Sequence, residues 1–388
     1  MRKIGMVIAL MGVNYGMILQ SYATQWYLDR AGFNTVIIRV EARKGLYTYA
    51  SKFRYLLRTF TKPMSLRVAF KKRQRRKIVN RNPVLRAAQA ERRRAADIFI
   101  KERFHDILFF SSEESAGEAV KSCDAVLVGS DQQWNPASFY GNISTLMFVP
   151  DEVKKVSYAT SLGVSSIPRY LTKRGKEFLS RIDYLSVREP SGKIIVDSLI
   201  GEKAVVVLDP TLLLTPEDWE STIKRNRLIN EPYVFCYFLG DNPEYLEVVR
   251  QFCTDHSYKM VVIRNIETYV GEVSDIGDII LDGPSVEDFV NYIRYANVVC
   301  TDSFHATIFS IISHRQFVSF YRTKSTDKNS RNSRIDDFLG ELNLKGNIYS
   351  MGNGVAEIAG KVVDYSAVDD RISTLRQESI AFLNIALK

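Results

Sequence analysis

Histidine and cysteine are scarce in this chain, four of each in 388 residues. Cys123, Cys236, Cys253 and Cys300 are scattered, without a C-x-x-C pair. That spacing excludes a zinc ribbon and a disulfide framework, and no metal is expected. Cys236 and Cys300 fall in apolar strand-like runs and read as structural thiols of a reducing cytoplasm. Acidic residues are nearly missing from 52–94, where sixteen Lys and Arg face Glu91 alone. The net charge of +9 therefore comes from one segment, and the rest of the chain carries −6. No apolar run reaches the length of a membrane span. The opening MRKIGMVIALMG imitates a secretion signal, but no small-residue cleavage site follows. Asn14 and Gln20 interrupt any continuation, so the stretch reads as a first buried strand.

What is present is a soluble-protein composition, 46% hydrophobic and 25% charged, in a chain too long for one ordinary core. Strand and helix patterns alternate. IGMVIAL (4–10) reads as a strand, GVNYG (12–16) as a tight turn, 17–32 as a helix ending near Gly32, and NTVIIRV (34–40) as the returning strand. A basic, helical insertion over about 45–110 interrupts the rhythm. Strand patterns resume at 124–135, 154–163, 184–189 and 203–214, with helices at 170–182 and 191–199. Such alternation predicts an α/β fold with two Rossmann-like parallel-sheet domains facing a cleft. The first spans 1–214; a polar connection follows at 215–232. The second, 233–365, has strands at 233–240, 258–264, 297–303 and 316–322. Its helices fall at 242–255, 285–297, from 303 onward, and at 333–343. A last helix, 366–388, packs back toward the first domain.

Ligands of open α/β sheets bind beyond the carboxyl ends of strands, and polar residues crowd those junctions here. GVNYG sets Asn14 and Tyr15 at the first turn, where Gly12 and Gly16 permit close backbone approach; a plain strand–helix turn would read the same way. VGSDQQWN (128–135) gathers Asp131, Gln132, Trp134 and Asn135, a mixture of hydrogen-bonding groups and an indole that suits a sugar or caps the core. SVRE (186–189) ends on Arg188, whose fork can clamp a carboxylate or phosphate or pair internally with Glu189. LDPTLLL (208–214) reads as structural. In CTDSFHATIFSIISH (300–314), Asp302 and Ser303 are N-cap types, and His305 falls in the first turn of an apolar helix, where free N–H groups favour an anion. The loop 321–331 adds Arg322, Lys324, Lys328 and Arg331.

NYGMILQSYA (14–23), VGSDQQWN, SYATSLG (157–163), SVRE, LDPTLLL and TDSFHATIFSI, in this order, resemble the polysaccharide pyruvyl transferase family. The resemblance runs over about 4–345. It implies a fold similar to that of two-domain (GT-B-like) glycosyltransferases, and transfer of a pyruvyl group from phosphoenolpyruvate to two hydroxyls of a sugar as a cyclic ketal. Phosphoenolpyruvate is then a co-substrate, and no cofactor is expected. The resemblance also implies donor contacts from Arg188, His305 and Lys324. Family members often place that lysine after a proline; here Thr323 precedes Lys324, and Lys328 is close enough to substitute. An arginine often stands where this chain has Ser303.

On this reading His305 is the acid, or a phosphate ligand, and Asp131 a base on the acceptor hydroxyl. Arg188, Lys324 or Lys328, and Ser303 bind the donor. Asn14, Tyr15, Gln132, Trp134 and Asn135 face the acceptor. The acceptor class is a saccharide or lipid-linked saccharide. The basic stretch 52–94 would attract an anionic membrane surface or serve as a solvated helical face. The expected location is the cytoplasm, at the inner membrane face. No nucleic-acid-binding fold is recognisable, and no such partner is expected. Two rivals stand beside this reading. One is a nucleotide-sugar glycosyltransferase of the same architecture, with Glu287 as a ribose-binding acid; the other is a non-catalytic glycan-binding protein.

Overall fold

The computed structural model describes residues 1–10, 12–40, 81–136, 139, 143–164, 166–240, 242–266, 276–323, 332–350 and 353–388. The chain begins β1 (Lys3–Val7), α1 (Tyr15–Arg30), β2 (Asn34–Val40), α2 (Pro83–Arg103), β3 (Ile107–Phe110) and α3 (Glu113–Val120). It continues through β4 (Ala125–Gly129), β5 (Lys154–Thr160), α4 (Arg169–Leu179), β6 (Tyr184–Val187), α5 (Pro190–Ile200) and β7 (Val205–Val206). These seven strands form one sheet in the order β3-β2-β1-β4-β5-β6-β7, every pair parallel. Parallel neighbours require a crossover between strands, and the helices supply it.

A connecting helix, α6 (Pro216–Thr222), leads to the second unit: β8 (Tyr233–Tyr237), α7 (Pro243–Asp255), β9 (Lys259–Ile263), β10 (Ile279–Leu281), α8 (Val286–Tyr295), β11 (Val298–Thr301), α9 (Phe304–Ile312) and β12 (Gln316–Ser319). Its sheet order is β10-β9-β8-β11-β12, again parallel throughout. The chain closes with α10 (Ser333–Glu341), α11 (Val355–Ala359) and α12 (Tyr365–Leu387). Each sheet reverses its strand order once, between β1 and β4 and between β8 and β11. The crevices at those two points are where this class of sheet holds ligands.

Several local expectations are corrected. The stretch read as insertion includes β3, a short ILFF run that extends the sheet by pairing with β2. Within that stretch α2 is partly core: Leu85, Ala88, Arg92, Ala96 and Phe99 are buried. Residues 41–80, which carry most of the basic run, lie outside the described residues. The apolar run 203–214 yields only the two-residue β7, because Asp209 caps a 3-10 turn at Pro210–Leu212 instead. The connection 215–232 contains α6, closed at its start by a reciprocal Thr215–Asp218 cap. β10 had no counterpart in the sequence reading.

One buried cluster runs through both halves. Trp219 of α6 packs edge-on to Phe309 of α9 at 4.9 Å and lies 6.2 Å from Tyr22 of α1. The last helix returns to the first sheet. Arg376 Nε donates to Leu212 O at 2.7 Å, and Ser379 Oγ accepts from Leu208 N at 2.9 Å. These two bonds bracket Asp209 in the chain.

Candidate active site

The two reversal points meet where α1 and α9 begin. α9 starts at an N-cap, Ser303, whose hydroxyl accepts from Ala306 N at 3.5 Å. Asp302 does a different job: its carboxylate accepts from Leu239 N and Gly240 N, both at 2.7 Å, tying the end of β8 to the end of β11. His305 follows, buried, with its ring against Gly16 at the start of α1. A methyl group at Gly16 would overlap that ring. Glycine is therefore required at this position, because the histidine of one half fills the space a side chain from the other half would occupy.

Asp209 links the two halves. Its Oδ1 accepts from Thr211 N and Oγ1, at 3.0 and 2.7 Å. Its Oδ2 accepts from Arg188 Nη1 at 2.7 Å and from Ser130 Oγ at 3.2 Å, and lies 3.3 Å from His305 Nε2. Burial alone would push the Asp209 carboxyl up, but the charges and hydrogen bonds of His305 and Arg188 outweigh it and hold it far below the usual carboxylate range. Arg188 is held on its other side by Glu189, 3.5 Å from Nε, which itself accepts from Ser161 Oγ at 2.5 Å. The Arg188 guanidinium lies 4.4 Å over the Phe304 ring, a contact across the cleft.

By sequence pattern Asp209 reads as structural, and nothing marks Arg334. Arg334, in the first turn of α10, is buried, with its guanidinium 5.8 Å from the centre of the Phe304 ring. Its signal was absent locally, since it follows a polar loop on a helix rather than a strand end. Asp209 did carry a signal, a carboxylate just beyond a strand's carboxyl end. Arg322 joins the group, donating from Nη2 to Asp302 O at 3.1 Å.

Among the described residues the cluster is left with buried polar atoms that make no well-formed hydrogen bond: Arg188 Nη2 and Arg334 Nε, then Arg188 Nε, His305 Nε2 and Arg322 Nε, which lie 3.5, 3.3 and 3.7 Å from the carboxylates of Glu189, Asp209 and Asp302, with Glu189 Oε2 and the Ser191 hydroxyl beside them. Native interiors rarely leave such groups unmatched. Five of the seven are nitrogens of basic side chains, which is the chemistry of an anion site.

The remaining expected site residues separate into two groups. Asp131 stands at the end of β4 with a left-handed φ of 61°, half-buried, its charge felt by both Arg188 and Arg334. Gln132 is beside it, and with its amide turned so that Oε1 faces Arg334 it accepts from Nη2 and Nη1 at 3.0 and 3.3 Å. Asn14 caps α1, accepting from Met17 N at 3.2 Å, and is half-buried, as is Asn135. Trp134 and Tyr15 are corrected. Trp134 is fully buried, edge-on to Phe178, its indole N–H donating to Ser144 O at 2.9 Å, so it is core and offers no face to a sugar. Tyr15 stacks on Phe289 at 4.5 Å and donates to Pro284 O at 2.9 Å, joining the halves instead of facing an acceptor. Lys324 and Lys328 lie outside the described residues. Among the described residues no group of three or more His, Cys, Asp or Glu is gathered for a metal ion, and no helix is long and apolar enough to cross a membrane.

Two parallel α/β units whose reversal points face each other define a GT-B-like protein. In fold the chain is similar to the UDP-N-acetylglucosamine 2-epimerase of Neisseria meningitidis in its UDP-GlcNAc-bound structure, with a TM-score of 0.52 at 7% identity, covering 98% of this chain and 100% of that one. It is equally similar to a Listeria monocytogenes protein assigned as the same type of epimerase, with a TM-score of 0.52 at 11% identity, covering 97% of this chain and 90% of that one. Those identities speak for the fold alone. No curated protein matches the chain by sequence. Residues 14–324 match the model of the polysaccharide pyruvyl transferase family, and the chain belongs to that family.

Proposed function

We propose that this protein transfers the pyruvyl group of phosphoenolpyruvate to two hydroxyls of a surface- or capsular-polysaccharide sugar, forming a cyclic ketal and releasing phosphate. The observation that carries the reading is the buried Arg188–Asp209–His305 group with its unmatched basic nitrogens, set between the halves of a pyruvyl transferase family member. Phosphoenolpyruvate carries a carboxylate and a phosphate, and a buried site must supply several donors to both. Arg188 suits the planar carboxylate. The phosphate falls to Lys324 or Lys328 together with Ser303 and the first N–H groups of α9.

His305 delivers a proton to the methylene carbon, with Asp209 as counter-charge for the doubly protonated ring. The adjacent carbon becomes oxocarbenium-like, and one sugar hydroxyl adds to it. Phosphate then departs with its C–O bond electrons, and the second hydroxyl closes the ketal. Of the two hydroxyl protons, one balances the proton gained by the new methyl group and the other leaves with phosphate. Asp131, at the mouth of the group, takes the first hydroxyl proton. Gln132 and Asn135 line the acceptor side with Asn14. The exposed Arg86, Arg93 and Arg94 of α2, in the basic stretch 52–94, favour a lipid-linked acceptor at an anionic inner membrane face.

Glu287, the ribose acid suggested for the nucleotide-sugar rival, lies 3.5 Å from Arg103 Nη2 of α2. The test is phosphate release from phosphoenolpyruvate with a panel of saccharides and lipid-linked saccharides, read together with the mass of the product. Acceptor-dependent release with a ketal mass increment, abolished in a folded His305→Gln variant, is expected. Full activity in that variant rejects His305 as the acid. No release across the panel alongside UDP-sugar turnover rejects the reaction.

A further inference from the structure

Arg334 is the one member of the basic group that no strand-end motif contains, and it lies past residue 324, where the family match stops. Its environment is unusual for a buried arginine. A guanidinium taken out of water is ordinarily matched by a carboxylate at contact distance. Here, among the described residues, the Arg334 head meets a neutral amide and an aromatic ring, and it feels two cations, Arg188 and Arg322, together with two carboxylates, Glu189 and Asp131. Gln132, with its amide turned so that Oε1 faces the guanidinium, takes two of its N–H groups. Gln132 is itself held in place by the left-handed Gly163 (φ 62°), where a side chain would overlap the Gln132 amide. The Phe304 ring is shared with Arg188. Glu189 and Asp131 offset part of the charge, but burial and then the positive charges of Arg188 and Arg322 prevail and push the Arg334 pKa down to about 9. Its Nε has no hydrogen-bond partner among the described residues.

A cation built in, oriented by a glutamine and left short of negative charge is an arrangement that an incoming anion completes. We propose that Arg334 is an anion-binding residue of the cleft. Resting on the donor reading given above, it contacts the phosphate of phosphoenolpyruvate while Arg188 holds the carboxylate. It thereby places a cation from α10 opposite the strand-end arginine of the first sheet.

A ligand-binding arginine and a structural one affect the free protein with opposite signs. A structural arginine stabilises the free protein. A guanidinium short of counter-charge does not, so its neutralisation leaves the free protein as stable as before or more so. The experiment is calorimetric titration of the full-length protein with phosphoenolpyruvate, inorganic phosphate and UDP-GlcNAc. It is run on wild type, Arg334→Gln and Arg334→Lys, with thermal unfolding of each free protein.

Expected are a roughly 10- to 100-fold weaker phosphoenolpyruvate affinity in Arg334→Gln, partial recovery in Arg334→Lys, and unfolding temperatures at or above wild type. Affinity within twofold of wild type in both variants overturns the proposal, and so does a large loss of free-protein stability in both. If wild type ignores phosphoenolpyruvate but binds phosphate or UDP-GlcNAc in an Arg334-dependent way, the pyruvyl-donor reading falls while the anion-binding role of Arg334 stands. Binding of none of the three by wild type overturns both.

Discussion

Replacing Asp209 with asparagine probes the joint between the halves most directly. The substitution keeps the volume and one carbonyl oxygen, and removes the charge. In the native protein one carboxylate serves five groups: Thr211 N and Oγ1 through Oδ1, and Arg188, Ser130 and His305 through or near Oδ2. An asparagine amide carries no charge and can accept at one position only, so Arg188 loses its nearest counter-charge in either orientation, and either it or the 3-10 turn also loses its hydrogen-bond acceptor. Removing one partner of a buried ion pair costs about 3–5 kcal/mol. Glu189, 3.5 Å from Arg188 Nε, softens the loss, so about 3 kcal/mol is expected from urea unfolding at pH 7.

Turnover should fall roughly 100-fold, because Arg188 and His305 both lose the group that aims them. The pH dependence has a definite sign. A carboxylate whose folded pKa lies below its unfolded value adds stability above about pH 4, and loses it as the pH falls toward the folded value. Asp209 is strongly lowered in the fold. The stability gap between wild type and Asp209→Asn should therefore be flat from about pH 5 to 8 and narrow below about pH 4. A variant that unfolds within about 1 kcal/mol of wild type and keeps most of its turnover refutes the role given to Asp209.

Two further outcomes follow from contacts on either side of the molecule. Gly16→Ala drives a methyl group into the His305 ring, so on the proposed reaction turnover should drop by roughly 100-fold with binding of the proposed donor less affected; unchanged turnover would place His305 elsewhere. His105 sits between Asp29, 2.8 Å from Nε2, and Asp106, 3.0 Å from Nδ1. Burial lowers its pKa, but the hydrogen bonds and charges of the two carboxylates raise it overall. Its contribution to stability is thus complete below about pH 6.5 and lost as the pH rises through the higher folded value. Comparative unfolding of wild type and His105→Gln between pH 5.5 and 9 (roughly the span of histidine titration) should show the gap closing on the alkaline side, and a gap that widens there is incompatible with this pairing.

The alternation of strand and helix was legible because it depends on neighbours in the chain: apolar runs of four to seven residues, glycine-bearing turns and N-cap residues. The same locality pointed to Arg188, Asp131 and His305, since a polar residue just beyond a strand's carboxyl end is exposed to the crevice by the geometry of a parallel sheet. Where the local signal was ambiguous, packing decided. Trp134 and Tyr15 sit in junction motifs, yet an indole with a carbonyl to meet and an aromatic stack across the halves drew both side chains inward.

The union of Asp209 with Arg188 and His305, residues from two sheets, exists only because the C-terminal helix and the shared core press the halves together. Arg334 owes its place entirely to that closure. Nothing in its neighbours along the chain distinguishes it from a solvated helix-start arginine, and only the tertiary fold buries it opposite two other cations. Secondary structure and strand-end chemistry were determined by the sequence at short range. The site's charge balance was decided by distances between residues far apart in the chain, which no local pattern encodes.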